Sequence, residues 1–271
     1  MPSPASAGSS SSGPASSAPL FAPGTGPAAN PAPDHGRTIR SFVPRRSRVT
    51  EAQRQALVRR WPAWGLEIDG HAHLDLGELF AGRPVVLEIG FGMGEATAEM
   101  AAADPDTGIL AVDVHTPGQG NLLRLAELRG LDNVRVANGD AVLLLERMLP
   151  DRSLAGVRIY FPDPWPKKRH RKRRIIQPAF VELCAARMAP GAVLHCATDW
   201  EPYAQHMLEV LSASPAFENT VSADTVSADT ASPDTAPGFA PRPDFRPLTR
   251  FERQGLAKGH VVHDLLFRRL P

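Results

Sequence analysis

An open α/β sheet, mostly parallel and covered by helices on both faces, is the fold this sequence predicts. Short β-branched runs alternate with helix-patterned stretches from residue 84 to residue 211, the pattern of strand–helix–strand units. Several of the runs end in Gly or Asp, residues that turn a chain out of a strand and into a helix. Cys184 and Cys196 are the only cysteines, so neither a disulfide framework nor a Cys-based zinc site holds the fold.

The elements follow in order. PVVLEIG (84–90) reads as a strand, and EATAEMAAA behind it as a helix. TGILAVDV (107–114) is a second buried strand, followed by NLLRLAELRG (121–130), a helix stopped by Gly130. NVRVANGD (133–140) leads into the helical AVLLLERML (141–149). LAGVRIYF (154–161) is a fourth strand, ended by Pro162. A helix is expected near 175–189, a strand at AVLHCATD (192–199), and a helix from Glu201 to Leu211. HVVHDLLFRRL (260–270) is apolar enough to pair at the sheet's edge.

The two flanks differ in kind. Ser, Ala, Pro and Gly fill 29 of residues 1–36, a composition that buries too little to offset its ordering entropy, so a disordered tail is expected. The basic arm is set at 37–60 and the folded domain at 61–271. Within the domain, VSADTVSADTASPDT (221–235) is a repeat too short to stack, read as part of a flexible loop at 220–243. No apolar run approaches the roughly 18 residues of a membrane span. The start MPSPASAGSS has no basic n-region or apolar h-region, so a cytoplasmic protein is expected.

A net charge of +1 conceals strong polarity. Residues 37–60 carry eight Arg against Glu51, and KKRHRKRR (167–174) carries seven cations and no acid. Two basic concentrations on an otherwise acidic chain suit a polyanion held in chosen places.

Glu88-Ile-Gly90-Phe-Gly92-Met-Gly94 closes the first strand. A dinucleotide fingerprint has its third glycine one residue later, and Glu88 would repel a pyrophosphate. The acid suits a cationic or hydroxyl-bearing ligand instead. Asp113 ends the second strand, where a carboxylate accepts ribose hydroxyls, and Asp140 ends the third, within reach of an adenine amino group. Asp140 also fits as the N-cap of the helix behind it. Acids at three neighbouring strand ends describe a pocket for a nucleoside with a positive centre, S-adenosylmethionine.

LEIGFGMGEAT, VDVHTPGQGNLL, FPDPWPKKRHRKRR, ATDWEPYAQHMLEV and RPLTRFERQG, in this order, resemble the bacterial tRNA (guanine-N7-)-methyltransferases. The resemblance runs from about Arg40 to Arg269, with Asp113 standing where the family has glutamate. It implies a Rossmann-like class I methyltransferase fold with a mostly parallel seven-stranded sheet, and transfer of a methyl from S-adenosylmethionine to the variable-loop guanine of tRNA. It further implies that Glu88, Gly90, Gly92, Gly94, Asp113, Asp140 and Asp163 hold the cofactor, with Asp163 also the catalytic position. Lys167, Asp199, Thr249, Arg250, Phe251 and Glu252 would hold the substrate. Arg169, His170, Arg171, Lys172, Arg173 and Arg174 would lie against the RNA. The expected partner is tRNA, with no membrane and no obligatory protein partner, the enzyme being a monomer or homodimer.

Guanine N7 bears a lone pair and no proton, so its attack on a sulfonium methyl needs no general base. Asp163, between Pro162 and Pro164, is read as an orienting and electrostatic group. Trp165 either stacks on the base or packs beneath the turn. The FPDPW run also resembles the D-P-P-W motif of amino methyltransferases, which keeps an exocyclic amine open as the target. A non-catalytic RNA-binding protein is the more distant alternative. His71 and His73 read as exposed or structural, with no metal expected, and His115, His195 and His206 show no partner in the sequence. Both cysteines read as buried.

Overall fold

The computed structural model describes residues 41–42, 48–221 and 237–271, with the backbone but not the side chain of Arg250. The tail, Arg37, Arg40, Arg45 and Arg46 of the arm, and nearly all of the 221–235 repeat lie outside the described residues.

Helix α1 (Glu51–Trp64) begins at Thr50, whose hydroxyl accepts from Gln53 N while the Gln53 side chain accepts from Thr50 N, a capping box. It runs across the boundary expected at residue 60, because its last turns pack on α4 (Thr116–Arg129), where Arg59 and Arg60 pair with Glu127. Strand β1 (Gly65–Glu67) and the single turn α2 (Leu76–Leu79) follow, both too short to stand out in the sequence. Then come β2 (Val85–Ile89), α3 (Glu95–Ala103), β3 (Gly108–Asp113), α4, β4 (Val134–Asn138), α5 (Ala141–Arg147) and β5 (Leu154–Tyr160), each beside its expected place. The basic run forms a 3₁₀ turn, Lys168–Arg173, before α6 (Pro178–Arg187), β6 (Met188–Thr198), α7 (Glu201–Ser212) and β7 (Phe217–Asn219). Helix α8 (Arg250–Leu256) and β8 (His263–Arg269) complete the chain.

The strands lie in the order β1-β4-β3-β2-β5-β6-β8-β7. From β1 to β6 every pairing is parallel, and β8 runs antiparallel to both neighbours. The mostly parallel sheet is as expected, with two differences. The three-residue β1 adds an eighth strand, and β8 lies inside the sheet because β7 covers its outer side. Buried side chains divide between the two faces. Leu87, Leu110 and Val157 pack with residues of α5, α6 and α7, while Ile109, Ala111 and Val136 pack with residues of α1, α3 and α4.

The chain steps outward from β2 to β3 and β4, then returns to place β5 on the other side of β2. That reversal splays the loops after β2 and β5 apart and opens a crevice at the strands' carboxyl ends, the usual ligand position in such sheets.

Candidate active site

A cleft of about 600 Å³ fills this crevice, within the size range of small-molecule sites. Its glycine turn needs glycine for conformational reasons, since Gly90, Gly92 and Gly94 have φ of +80°, +61° and +76°, where a Cβ is strained. Gly90 and Gly92 line the cleft. Gly94 does not, and instead heads α3, where a Cβ would press on Leu122 at 2.7 Å. Asp113 braces the turn from the end of β3, accepting from Gly92 N at 2.9 Å and from His115 N at 2.9 Å. Its burial pushes the carboxyl above the ordinary aspartate value. Asp140 caps α5 by accepting from Val142 N at 2.9 Å and also lines the cleft.

Glu88 lies one layer deeper, 3 % exposed and not in the cleft wall. On its sheet face Glu88 is flanked by Ala111 and Arg158. One carboxylate oxygen, Oε2, has no hydrogen-bond partner. Burial lifts the carboxyl from the ordinary 4.5 to about 7, opposed by the charge of Arg158 and by Thr97. A carboxyl raised on folding contributes stability that is complete below the unfolded value and lost as pH rises through the folded one. The protein is therefore expected to lose up to about 3 kcal/mol between pH 4.5 and 7. Urea titrations should show Glu88→Gln flattening most of that slope, with Asp113 supplying a remainder of the same sign. Equal slopes in both proteins would refute the assignment to Glu88.

The wall opposite the glycines is the turn Phe161–Trp165. Phe161 and Trp165 hold φ of +51° and +45°, a region that costs non-glycine residues about 1–3 kcal/mol each. Between them Pro162 and Pro164 fix φ, so Asp163 enters the cleft wall on a stiff bracket. Trp165 packs beneath the turn: its Nε1 donates to Ser41 O at 3.2 Å and Arg173 stacks on its ring at 4.1 Å. Ser41 and Phe42 cover the cleft from the arm.

The basic run divides in two. Lys167, Lys168, Arg169, Arg171 and Lys172 are exposed, and His170 and Arg173 are half-buried. Arg174 corrects the expectation of RNA contact, being 3 % exposed. Its Nε donates to Pro164 O at 2.9 Å and its guanidinium lies over Tyr203, so it fastens the Asp163 turn.

The residues expected to hold substrate are only partly gathered. Phe251 lines the cleft and tilts against Phe161 at 5.4 Å. Lys167 precedes the 3₁₀ turn, and Asp199 Oδ2 accepts from His260 Nδ1 at 3.0 Å. Thr249 caps α8 by accepting from Glu252 N at 3.0 Å. Glu252 is 2 % exposed, its two oxygens accepting from Arg246 Nη1 and Nη2 at 2.7 and 2.9 Å. The Arg250 side chain lies outside the description.

Other histidines and both cysteines also have places. His71 and His73 are exposed, Cys184 and Cys196 are buried, and His206 bonds Ile176 O. His115 lines the cleft beside Asp113. His195, which showed no partner in the sequence, is buried between Tyr160 and Asp264. No helix among the described residues is long and apolar enough to cross a membrane.

Comparison with known proteins gives the same direction. Residues 82–265, which hold almost all of the cleft, match the family model "Putative methyltransferase". The tRNA (guanine-N(7)-)-methyltransferase of Streptomyces avermitilis is 68% identical over 247 residues, covering 90% of this chain and 80% of that protein. That of Streptomyces coelicolor is also 68% identical, covering 90% and 86%. The Aromatoleum aromaticum protein of the same name is 54% identical over 86% of this chain and 84% of its own length. With the family model spanning glycine turn, Asp163 bracket and α8, and 68% identity over 90% of the chain, the chain belongs to the tRNA (guanine-N(7)-)-methyltransferase family.

Proposed function

We propose that the cleft binds S-adenosylmethionine and that the enzyme methylates N7 of the variable-loop guanine of tRNA. The observation that carries this reading is the set Asp113, Asp140 and Asp163, borne on three strand ends around one 600 Å³ cleft, with the unpaired Glu88 oxygen beneath it. The donor set fits the cofactor. Asp113 retains a lone pair on each oxygen for ribose hydroxyls, Asp140 would accept from an adenine amino group, and a buried carboxylate under the glycine turn favours a cation above it.

When bound, the cofactor supplies an electrophilic methyl on positively charged sulfur. The chain's own work is alignment and charge. Gly90 and Gly92 allow backbone to close on the ligand, while the Phe161–Trp165 bracket fixes Asp163 against the guanine. Lining nucleophile and methyl up at about 3 Å is worth several kcal/mol. As N7 acquires the methyl, the guanine becomes cationic and its N1–H and N2–H₂ more acidic. A carboxylate accepting from them gains strength in the transition state, which is differential stabilisation.

Exposed Lys168, Arg169, Arg171 and Lys172 lie along one turn beside the bracket, suited to phosphates rather than bases. Replacing these four with Ala is expected to weaken tRNA binding at low salt. The slope of log affinity against log salt should flatten by up to about 0.9 per lost phosphate contact. Filter binding across salt checks it, and an unchanged slope would count against this surface.

The function itself is tested by incubating the protein with methyl-labelled S-adenosylmethionine and total tRNA, then cleaving with borohydride and aniline at N7-methylguanine. Label at the variable loop supports the reading. Label on an exocyclic amine, or none at all, overturns it.

A further inference from the structure

A chain of buried polar side chains joins two walls of the cleft. It starts at Tyr160, which lines the cleft from the end of β5. His195 Nδ1 accepts from the Tyr160 hydroxyl at 3.0 Å, and His195 Nε2 donates to Asp264 Oδ1 at 2.7 Å. Asp264 Oδ1 accepts from Nε2, which leaves Nδ1 to accept from the tyrosine hydroxyl, and burial holds His195 below its ordinary value. Asp264 accepts from Arg246 Nε and Nη2, both at 2.8 Å. Arg246 then donates two bonds to Glu252, the second residue beyond the N-terminal end of α8 and the neighbour of Phe251. All five side chains are at most 7 % exposed.

From this we infer that Arg246 is a positioning residue for methyl transfer: its guanidinium, clamped between Asp264 and Glu252, holds α8 and Phe251 at a fixed distance from Tyr160. The inference rests on the methyl-transfer reading above. Helix α8 has seven residues, too short to be stable by itself. Two buried carboxylates facing each other would repel, and Arg246 is the cation that makes their approach favourable. A planar fork can serve both at once, which an ammonium cannot. Glu252 on this view affects the guanine through Phe251 and the shape of the cleft mouth, its own oxygens being engaged by Arg246.

The test uses the full-length chain with a tRNA transcript, labelled S-adenosylmethionine, and amide hydrogen exchange over residues 249–256. Asp264→Asn is nearly isosteric, changes a side chain that among the described residues hydrogen-bonds His195 and Arg246, and leaves Arg246 paired with Glu252. Arg246→Lys keeps the charge and loses the fork. For both we expect a folded protein with a lowered melting temperature, since each leaves buried polar groups poorly paired, and cofactor affinity within about threefold. We expect faster exchange confined to α8 and a kcat lowered by roughly tenfold in Asp264→Asn and toward 10²-fold in Arg246→Lys, the scale of a misplaced reacting group. Arg246→Met should lose more, or fail to fold because it strands two buried charges; the other two variants decide in that case. Unchanged α8 exchange, or a kcat that falls only in step with melting temperature, would overturn the inference. If the wild type itself transfers no methyl to tRNA, the functional reading fails, while the exchange data still decide whether Arg246 holds α8.

Discussion

Asp163→Asn is expected to lower turnover by about 10²–10³-fold while cofactor affinity stays within a few-fold of wild type. The size follows from removing one charged acceptor at a centre of developing charge in a confined site. Asparagine keeps the volume and the turn, because the bracket is set by Pro162, Pro164 and the strained Phe161 and Trp165, none of which the substitution touches. The loss should also be the same from pH 6.5 to 8.5. N7 has no proton to remove, so Asp163 is not asked to act as a base, and Asn cannot introduce a pH limb. Single-turnover methylation with saturating tRNA, beside calorimetric titration of the cofactor, separates the two quantities. Turnover near the wild-type value would end the electrostatic role. An equal fall in cofactor affinity would make Asp163 a cofactor ligand first.

How much of this was legible in the sequence depends on the distance over which each signal acts. Val85–Ile89 and Gly108–Asp113 are β-branched runs closed by Gly or Asp, and their pattern is local. Gly65–Glu67 and Phe217–Asn219 are three residues each; they become strands only because β4 and β8 offer them an open edge. The basic run shows the limit of charge patterning. Composition gives Lys168 and Arg174 the same standing, yet the end of a 3₁₀ turn swings Arg174 inward onto Pro164 O. His195 was opaque for a similar reason, since Tyr160 and Asp264 stand 35 and 69 residues away. Arg246 sits in a proline-rich stretch whose composition reads as a loop, and only the fold brings Asp264 and Glu252 to either side of it. Asp113 and Asp140 were legible because strand ends in a parallel sheet converge on one crevice whatever the details of packing.

Gly118→Ala opposes two physical effects of different size. Gly118 lies in the first turn of α4 with no positive φ, so helix propensity by itself predicts stabilisation of about 1 kcal/mol. Sterics predict the reverse. A Cβ at this position would stand 1.8 Å from Gly92 O and 3.0 Å from Gly92 C. The obstacle is backbone, which cannot rotate away as a side chain would. Gly92 is in turn tied through its N–H to Asp113, and Asp113 to His115 N at the head of α4. Glycine turn, Asp113 and helix start therefore form a closed ring, and separating Gly118 from Gly92 strains every link in it. Overpacking of this kind costs about 1–3 kcal/mol or more, which outweighs propensity and lowers the melting temperature by roughly 2–4 °C per kcal/mol in a domain of this size. The cleft should suffer more than the fold, because the displaced atoms are those that approach the ligand. Cofactor affinity is expected to fall by about 10²-fold or more, on the scale set by misplacing a binding backbone by an ångström. Differential scanning calorimetry with and without S-adenosylhomocysteine reads both quantities. A melting temperature raised in Gly118→Ala, with the ligand's stabilising shift intact, would show that α4 and the glycine turn move freely of one another.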